Sequence, residues 1–265
     1  MHYTFLRKLI LISGIILLLT TSCHYDNKKN TTRNDKRDFA ISDTLNITKI
    51  IIENRNLNKI ILQRNNNQKN WLLNDSLIAR KDQVNLLLKT IKDMRIKQPI
   101  ARSALNNIKK RMSIQNTKVD FFNKTTHLKT IYVGGETADQ LGTFMMIHGA
   151  SEPYIVHIPG FNGYLSSRFS CQEHKWRDKK LFNQNIESVS CHISALNIIK
   201  VLKPRTSQTQ ALQKIYCEDF LTQIPNLEEI KQRTPFLTIT TTHTNGDSQK
   251  LKCIRKKPVN KIKYQ

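Results

Sequence analysis

Two runs of branched apolar residues, ITKIIIEN (47–54) and NKIILQRN (58–65), stand on either side of a short polar link. Val and Ile are stiff at χ1 and pack well on a pleated surface, so runs of this length bounded by Asn read as a strand hairpin. This pairing is the strongest constraint on the fold. It commits the first part of the chain to a sheet whose other members must be found downstream.

They are found in order. NWLLND (70–75) predicts a third strand, with Trp71 on a sheet face or in the core. RKDQVNLLLKTIKDMRI then places Val84, Leu87, Leu88 and Ile91 at i, i+3, i+4 and i+7, an amphipathic helix with Asp82 near its positive end and Pro99 as its stop. SALNNIKKRM predicts a shorter helix with Leu105, Ile108 and Met112 on one face and Ser103 as cap. KVDFFN, LKTIYVGG, GTFMMIH and PYIVHIPG predict a four-stranded meander, and GFNGYLSSRF a turn into a short helix. Near the C-terminus, NIESVSCHI and LNIIKVLKP predict strands. QALQKIYCEDFLTQI carries a rough helical stripe through Leu212, Ile215, Phe220 and Ile224. FLTITTTHTNGDSQKLKCIRKK is a hairpin around Asn-Gly. The expected fold class is α+β: antiparallel strand meanders with packed helices, in two halves that echo each other. The expected domains are 41–170 and a smaller 171–265.

The first 40 residues are of another kind. Arg7 and Lys8 precede the apolar run Leu9–Leu19, which is short for a membrane crossing of about 20 residues. It suits the apolar region of a secretory signal peptide, 1–22. Thr20, Thr21 and Ser22 then lead to Cys23, a pattern that resembles the lipobox of bacterial lipoproteins, although Thr20 stands where a branched apolar residue is usual. The expectation is diacylglyceryl attachment to the Cys23 thiol and cleavage before it. Two acyl chains anchor stably where one does not. Residues 23–40 are polar and charged, a flexible tether between lipid and domain. The protein is therefore expected at the cell envelope, anchored in the membrane and facing the periplasm.

A net charge of +23 invites a nucleic-acid reading. The basic residues are spread along the whole chain among many Asn and Ile, as an AT-rich genome encodes, and an exported protein rarely meets nucleic acid. No nucleic-acid partner is expected; a basic face toward anionic lipid is the more natural use.

Cys171, Cys191, Cys217 and Cys253 remain after Cys23, an even number that allows two disulfides outside the cytoplasm. Cys171–Cys191 is the favoured pair, with unpaired thiols the competing reading. A zinc site from Cys171, His174, Cys191 and His192 is poorly supported, because adjacent residues of a strand point to opposite faces. A Cys171–His174–Asp178 hydrolase lacks any feature that would activate the thiol. VGGETADQLG has glycines but no Gly-Lys-Ser/Thr, and reads as a turn whose glycines permit positive φ. His127, His148, His157 and His243 stand singly. No catalytic residue, metal or cofactor is expected. Trp176, Arg177 and Asp178 are the most interesting polar cluster: first a domain junction, in which Trp176 packs and Arg177 and Asp178 make local hydrogen bonds or an ion pair, and second a partner-docking corner, since Trp and Arg are favoured interface anchors.

The order of these segments resembles the bacterial domain-of-unknown-function 4340 family. The similarity is carried by TLNITKIIIENRNLNKIILQRNNNQKNWLLN, ARKDQVNLLLKTI, VGGETADQLGTFMMIHGASEPYIVHIPGF and KWRDKKLFNQNIESV, over about residues 40–190. The resemblance implies an envelope protein held to the membrane, without established enzymatic activity, and often associated with components of ABC-type transporters. The expected function is thus a non-enzymatic, lipid-anchored binding or assembly module beside such a transporter. The alternatives are an envelope hydrolase or a binder of anionic lipid or polymer.

Overall fold

A computed structural model describes residues 37–64, 70–124, 126–182, 185–202, 207–221, 224 and 226–255. The expected signal peptide, Cys23 and most of the expected tether lie outside the described residues. The chain divides into two compact units, 1–177 and 178–265.

The first unit is built on one nine-stranded antiparallel sheet. Its strands are β1 (Lys49–Asn54), β2 (Lys59–Gln63), β3 (Leu72–Leu73), β4 (Leu77–Ile78), β5 (Arg95–Pro99), β6 (Thr117–Asn123), β7 (Thr126–Glu136), β8 (Thr143–Ile147) and β9 (Tyr154–His157), in the order β4-β3-β2-β1-β6-β7-β8-β9-β5. The β1–β2 turn closes because the Asn54 Oδ1 accepts the backbone N–H groups of Asn56 and Asn58, both at 3.0 Å, while Leu57 takes φ 61°. Asn supplies such turns because its side chain mimics a backbone acceptor.

Helix α1 (Lys81–Asp93) buries Val84, Leu87 and Ile91 at the spacing that predicts it. It ends at Asp93 and not at Pro99: Arg95–Pro99 alternate as a strand and pair with β9 at the far edge of the sheet. Helix α2 (Arg102–Ile114) buries Ile108 and Met112. Its cap is Ala101 without a side-chain bond, and Ser103 lies inside the first turn. A 3-10 turn (Ser166–Phe169) and the four-residue helix α3 (Glu173–Trp176) complete this unit.

The second unit holds a four-stranded antiparallel sheet: β10 (Ile186–Ile193), β11 (Ile198–Leu202), β12 (Leu237–His243) and β13 (Ser248–Cys253), ordered β11-β10-β12-β13. The β12–β13 turn uses Gly246 at φ 85°. Helices α4 (Ser207–Leu212) and α5 (Leu227–Gln232) have six residues each.

The expected α+β class is therefore corrected. The protein is mainly antiparallel β, with two sheets and few helices. The physical reason is local. The stripe through Leu212, Ile215, Phe220 and Ile224 does not form one helix; the helix stops at Leu212, and Tyr216 bridges to Lys180 as a strand residue would. The halves are also unequal, nine strands against four, although the order β2-β1-β6-β7 in the large sheet recurs as β11-β10-β12-β13 in the small one.

Burial separates the units further. The core of the first gathers 23 buried apolar residues, from Phe39 to Trp176; that of the second has Phe182, Ile186, Val189 and Ile239. Each such side chain contributes about 1.5–3 kcal/mol on burial, against about 1–2 kcal/mol of backbone entropy for every residue ordered. Among the described residues, the core of the second unit is the smaller, with Leu181, Leu202, Leu212, Leu237 and Leu251 partly buried against it.

Candidate functional site

In the Trp176-Arg177-Asp178 cluster the indole is packed inside the first unit. Trp176 is 3 % exposed and belongs to the core of the first unit. Its indole Nε1 donates to the Ser170 carbonyl at 2.7 Å, and its own carbonyl accepts the Arg80 N–H at 2.7 Å. Arg177 forms a β-bridge with Ala79. Asp178, the first residue of the second unit, accepts the Lys180 N–H at 3.1 Å. An amphipathic indole can anchor either a partner or a core, and here it fills the core.

The four late cysteines stand unbridged in this structure. Cys171 packs against the core of the first unit and Cys191 against that of the second. Burial, then the negative charge of Glu53, pushes the Cys171 thiol up to about 11. A thiol held protonated is a poor nucleophile. Among the described residues, no group of three His, Cys, Asp or Glu side chains is placed to hold a metal.

Gly134 and Gly142 of VGGETADQLG work by close approach and not by positive φ. A Cβ on Gly134 would meet Met112 Cγ at 3.0 Å and the Phe144 carbonyl at 3.1 Å; one on Gly142 would meet Ile155 Cγ2 at 2.5 Å. The positive-φ glycines are Gly149, Gly160 and Gly246.

The arrangement that most resembles catalytic chemistry lies on β6 and β7 and carries no sequence motif. The Thr130 hydroxyl donates to Asp120 Oδ1 at 2.5 Å and lies 2.8 Å from His127 Nε2. Lys118 Nζ is 2.9 Å from Asp120 Oδ2. Burial alone would raise the Asp120 carboxyl, but the hydrogen bonds from Thr130 and Lys118 and the Lys118 charge hold it below the usual carboxylate range. The single hydroxyl proton of Thr130 is thus committed to a carboxylate, and the residue is 6 % exposed. This network satisfies a buried charge across two paired strands. It does not present a nucleophile.

What the second unit does present is an edge. Strand β11 is outermost in its sheet and pairs only with β10 among the described residues. Its side chains Ile198, Ile199 and Val201 are exposed, the last two at 66 % and 69 %, and Ile193 and Leu196 of the same hairpin are exposed beside them. Ten of the seventeen large apolar side chains exposed among the described residues belong to this unit. Lys200 is the single charge on the strand. Monomeric proteins blunt such edges with charge, proline or a bulge, and contiguous exposed apolar surface marks contact with other molecules. The segment LNIIKVLKP signals a strand, but only the sheet order makes it an edge.

Compared with known proteins, the chain matches no family model, no curated protein and no solved structure.

Proposed function

We propose that this chain is a non-enzymatic envelope protein, anchored by lipid at Cys23, that serves as a binding or assembly module. The observation that supports the reading is the β11 edge. Its outer backbone groups, which pair with no strand among the described residues, and its Ile199 and Val201 side chains suit a partner that adds one extended strand to the sheet, main-chain hydrogen bonds giving affinity and alternate side chains giving selectivity. The partner is an extended segment of another envelope protein. A component of an ABC-type transporter is the partner suggested by sequence resemblance, and that suggestion rests on the resemblance alone.

The test is a pull-down from membranes solubilised in mild detergent, comparing tagged wild type with Ile199→Lys/Val201→Lys. The expected result is a co-purifying envelope protein that the double variant loses, with an unchanged unfolding midpoint. Retention of the same partner by the variant, or purification of wild type as a lone monomer, would contradict the reading.

A further inference from the structure

Helix α2 lies across the first sheet at Gly134, and a hollow opens on each side of that contact. One has a volume of about 620 Å³, the other about 480 Å³, and Arg55, Met112 and Asn116 border both. Both sizes fall in the range of small-ligand sites. The two hollows differ in chemistry. The larger is bordered by Arg55 and Arg111, by the carboxamides of Asn56 and Gln115, and by one carboxylate, Glu136. The smaller is floored by Met112, Tyr132, Met146 and Pro153, with Lys109 at its side.

The contact that separates them is fixed. Gly134 lets Met112 come close to the sheet, since a Cβ there would stand 3.0 Å from Met112 Cγ and 3.1 Å from the Phe144 carbonyl oxygen, and Asn116 Nδ2 donates to the Met112 carbonyl at 2.6 Å. Arg111 reaches over Gly135, its Nη2 lying 3.8 Å from where a Cβ would stand. The Asn54 turn places Arg55 at the junction. Among the described residues, none of Arg55, Lys109 and Arg111 enters a salt bridge. Three cations, Arg55, Lys109 and Arg111, and one acid, Glu136, border the two hollows, and Met112, Tyr132, Met146 and Pro153 give the smaller an apolar lining.

We propose that this groove binds an extended peptide segment of a partner protein in which an acidic side chain stands beside an apolar one. The carboxylate pairs with Arg55 and Arg111, for which a guanidinium fork is well shaped. The apolar side chain enters the hollow between Met112 and Met146, where flexible thioethers adapt to its shape. The exposed carboxamides on the β1–β2 turn and at the end of α2 suit the alternating donors and acceptors of an extended backbone. A purely polyanionic ligand would leave the apolar hollow empty. This site is separate from the β11 edge and stands or falls without it.

The probe is a fluorescein-labelled ten-residue peptide of alternating Glu and Leu, titrated by fluorescence anisotropy against the full chain in mild detergent. Saturable binding is expected, weakened at least tenfold by Arg55→Glu/Arg111→Glu and severalfold by Met146→Ser. Lys81→Glu on α1, outside the groove, and the β11 double variant should bind as wild type does. Arg55 and Arg111 are exposed, so their replacement should leave the thermal midpoint in place. Decaglutamate should bind at least tenfold more weakly than the Glu/Leu peptide. No binding, equal binding of decaglutamate, or binding that survives the double arginine reversal would each overturn the proposal. Capture of phosphatidylglycerol vesicles in place of the peptide would equally overturn it and assign the groove to anionic lipid.

Discussion

Thr130 and Asp120 face each other across the β6–β7 pair, joined by a 2.5 Å hydrogen bond from hydroxyl to carboxylate, at 6 % and 8 % exposure. A carboxylate so placed must be satisfied or it destabilises the sheet, and Lys118 completes the arrangement from the same strand. Asp120→Ala removes the carboxylate that accepts from the Thr130 hydroxyl and pairs with Lys118, and leaves His127 Nε2, 2.8 Å away, as the hydroxyl's remaining neighbour. The expected loss is about 1–3 kcal/mol at neutral pH, read from urea unfolding.

The same pair sets a pH dependence. The Asp120 carboxyl titrates below its ordinary value in the folded protein. Its contribution is therefore present above an unfolded value of about 3.9 and is lost as pH falls through the lower folded value. The stability gap between wild type and Asp120→Ala should narrow from pH 7 to pH 3. A gap that is constant over this range would show that the charge state of Asp120 does not matter.

Gly142 and Gly135 make a matched test of close packing. A Cβ at 142 would stand 2.5 Å from Ile155, which is itself packed in the sheet; one at 135 meets only the tip of Arg111 at 3.8 Å. Overpacking of this kind costs about 1–3 kcal/mol. Gly142→Ala should lower the urea midpoint, and Gly135→Ala should leave it nearly unchanged. Equal effects would remove the steric explanation.

These interactions show which parts of the fold were legible in the sequence. Val84, Leu87 and Ile91 form a helix because their spacing is a local property, and the β1–β2 and β12–β13 hairpins follow from branched residues around an Asn-rich turn or an Asn-Gly pair. The Asp120–Thr130 contact was not legible, because it depends on a register that shifts at an irregularity between Phe121 and Phe122. That Trp176 packs was the simpler expectation from the sequence; its hydrogen-bond partners, Ser170 and Arg80, were not legible, since neither is marked by any periodicity. Strand β5 was hidden in the tail of the helical pattern: Arg95 and Lys97 alternate with Ile96 over too few residues to outweigh the helix before them. The edge character of β11 follows from the strand order alone.

Cys171 supplies a chemical check on the placement of that part of the chain. With its thiol raised to about 11, it should resist iodoacetamide at pH 8 in the native protein and react once the chain is unfolded in urea. Intact mass before and after reduction should be the same if all four late cysteines are free thiols. A gain of about two or four mass units on reduction, one hydrogen per cysteine released, would reveal a disulfide.

Trp176 reports on the same region by a different route. Replacement by Ala removes a buried indole and its bond to Ser170, with an expected cost of about 3–5 kcal/mol. Replacement by Phe keeps most of the volume and should cost less. If both variants unfold at the wild-type urea concentration, Trp176 is not part of the core.

The most direct measurement of the proposed function is made on membranes. Wild type and Cys23→Ala, both tagged at the C-terminus, are fractionated and pulled down side by side, and co-purifying proteins and the mass of the N-terminal peptide are read by mass spectrometry. The expected result is a cleaved, diacylglycerol-bearing wild type in the membrane fraction with an envelope partner, and a Cys23→Ala chain that lacks the lipid and loses that partner. A Cys23→Ala chain that stays in the membrane at its normal length, unprocessed and with the same partner, would contradict the lipid-anchored module.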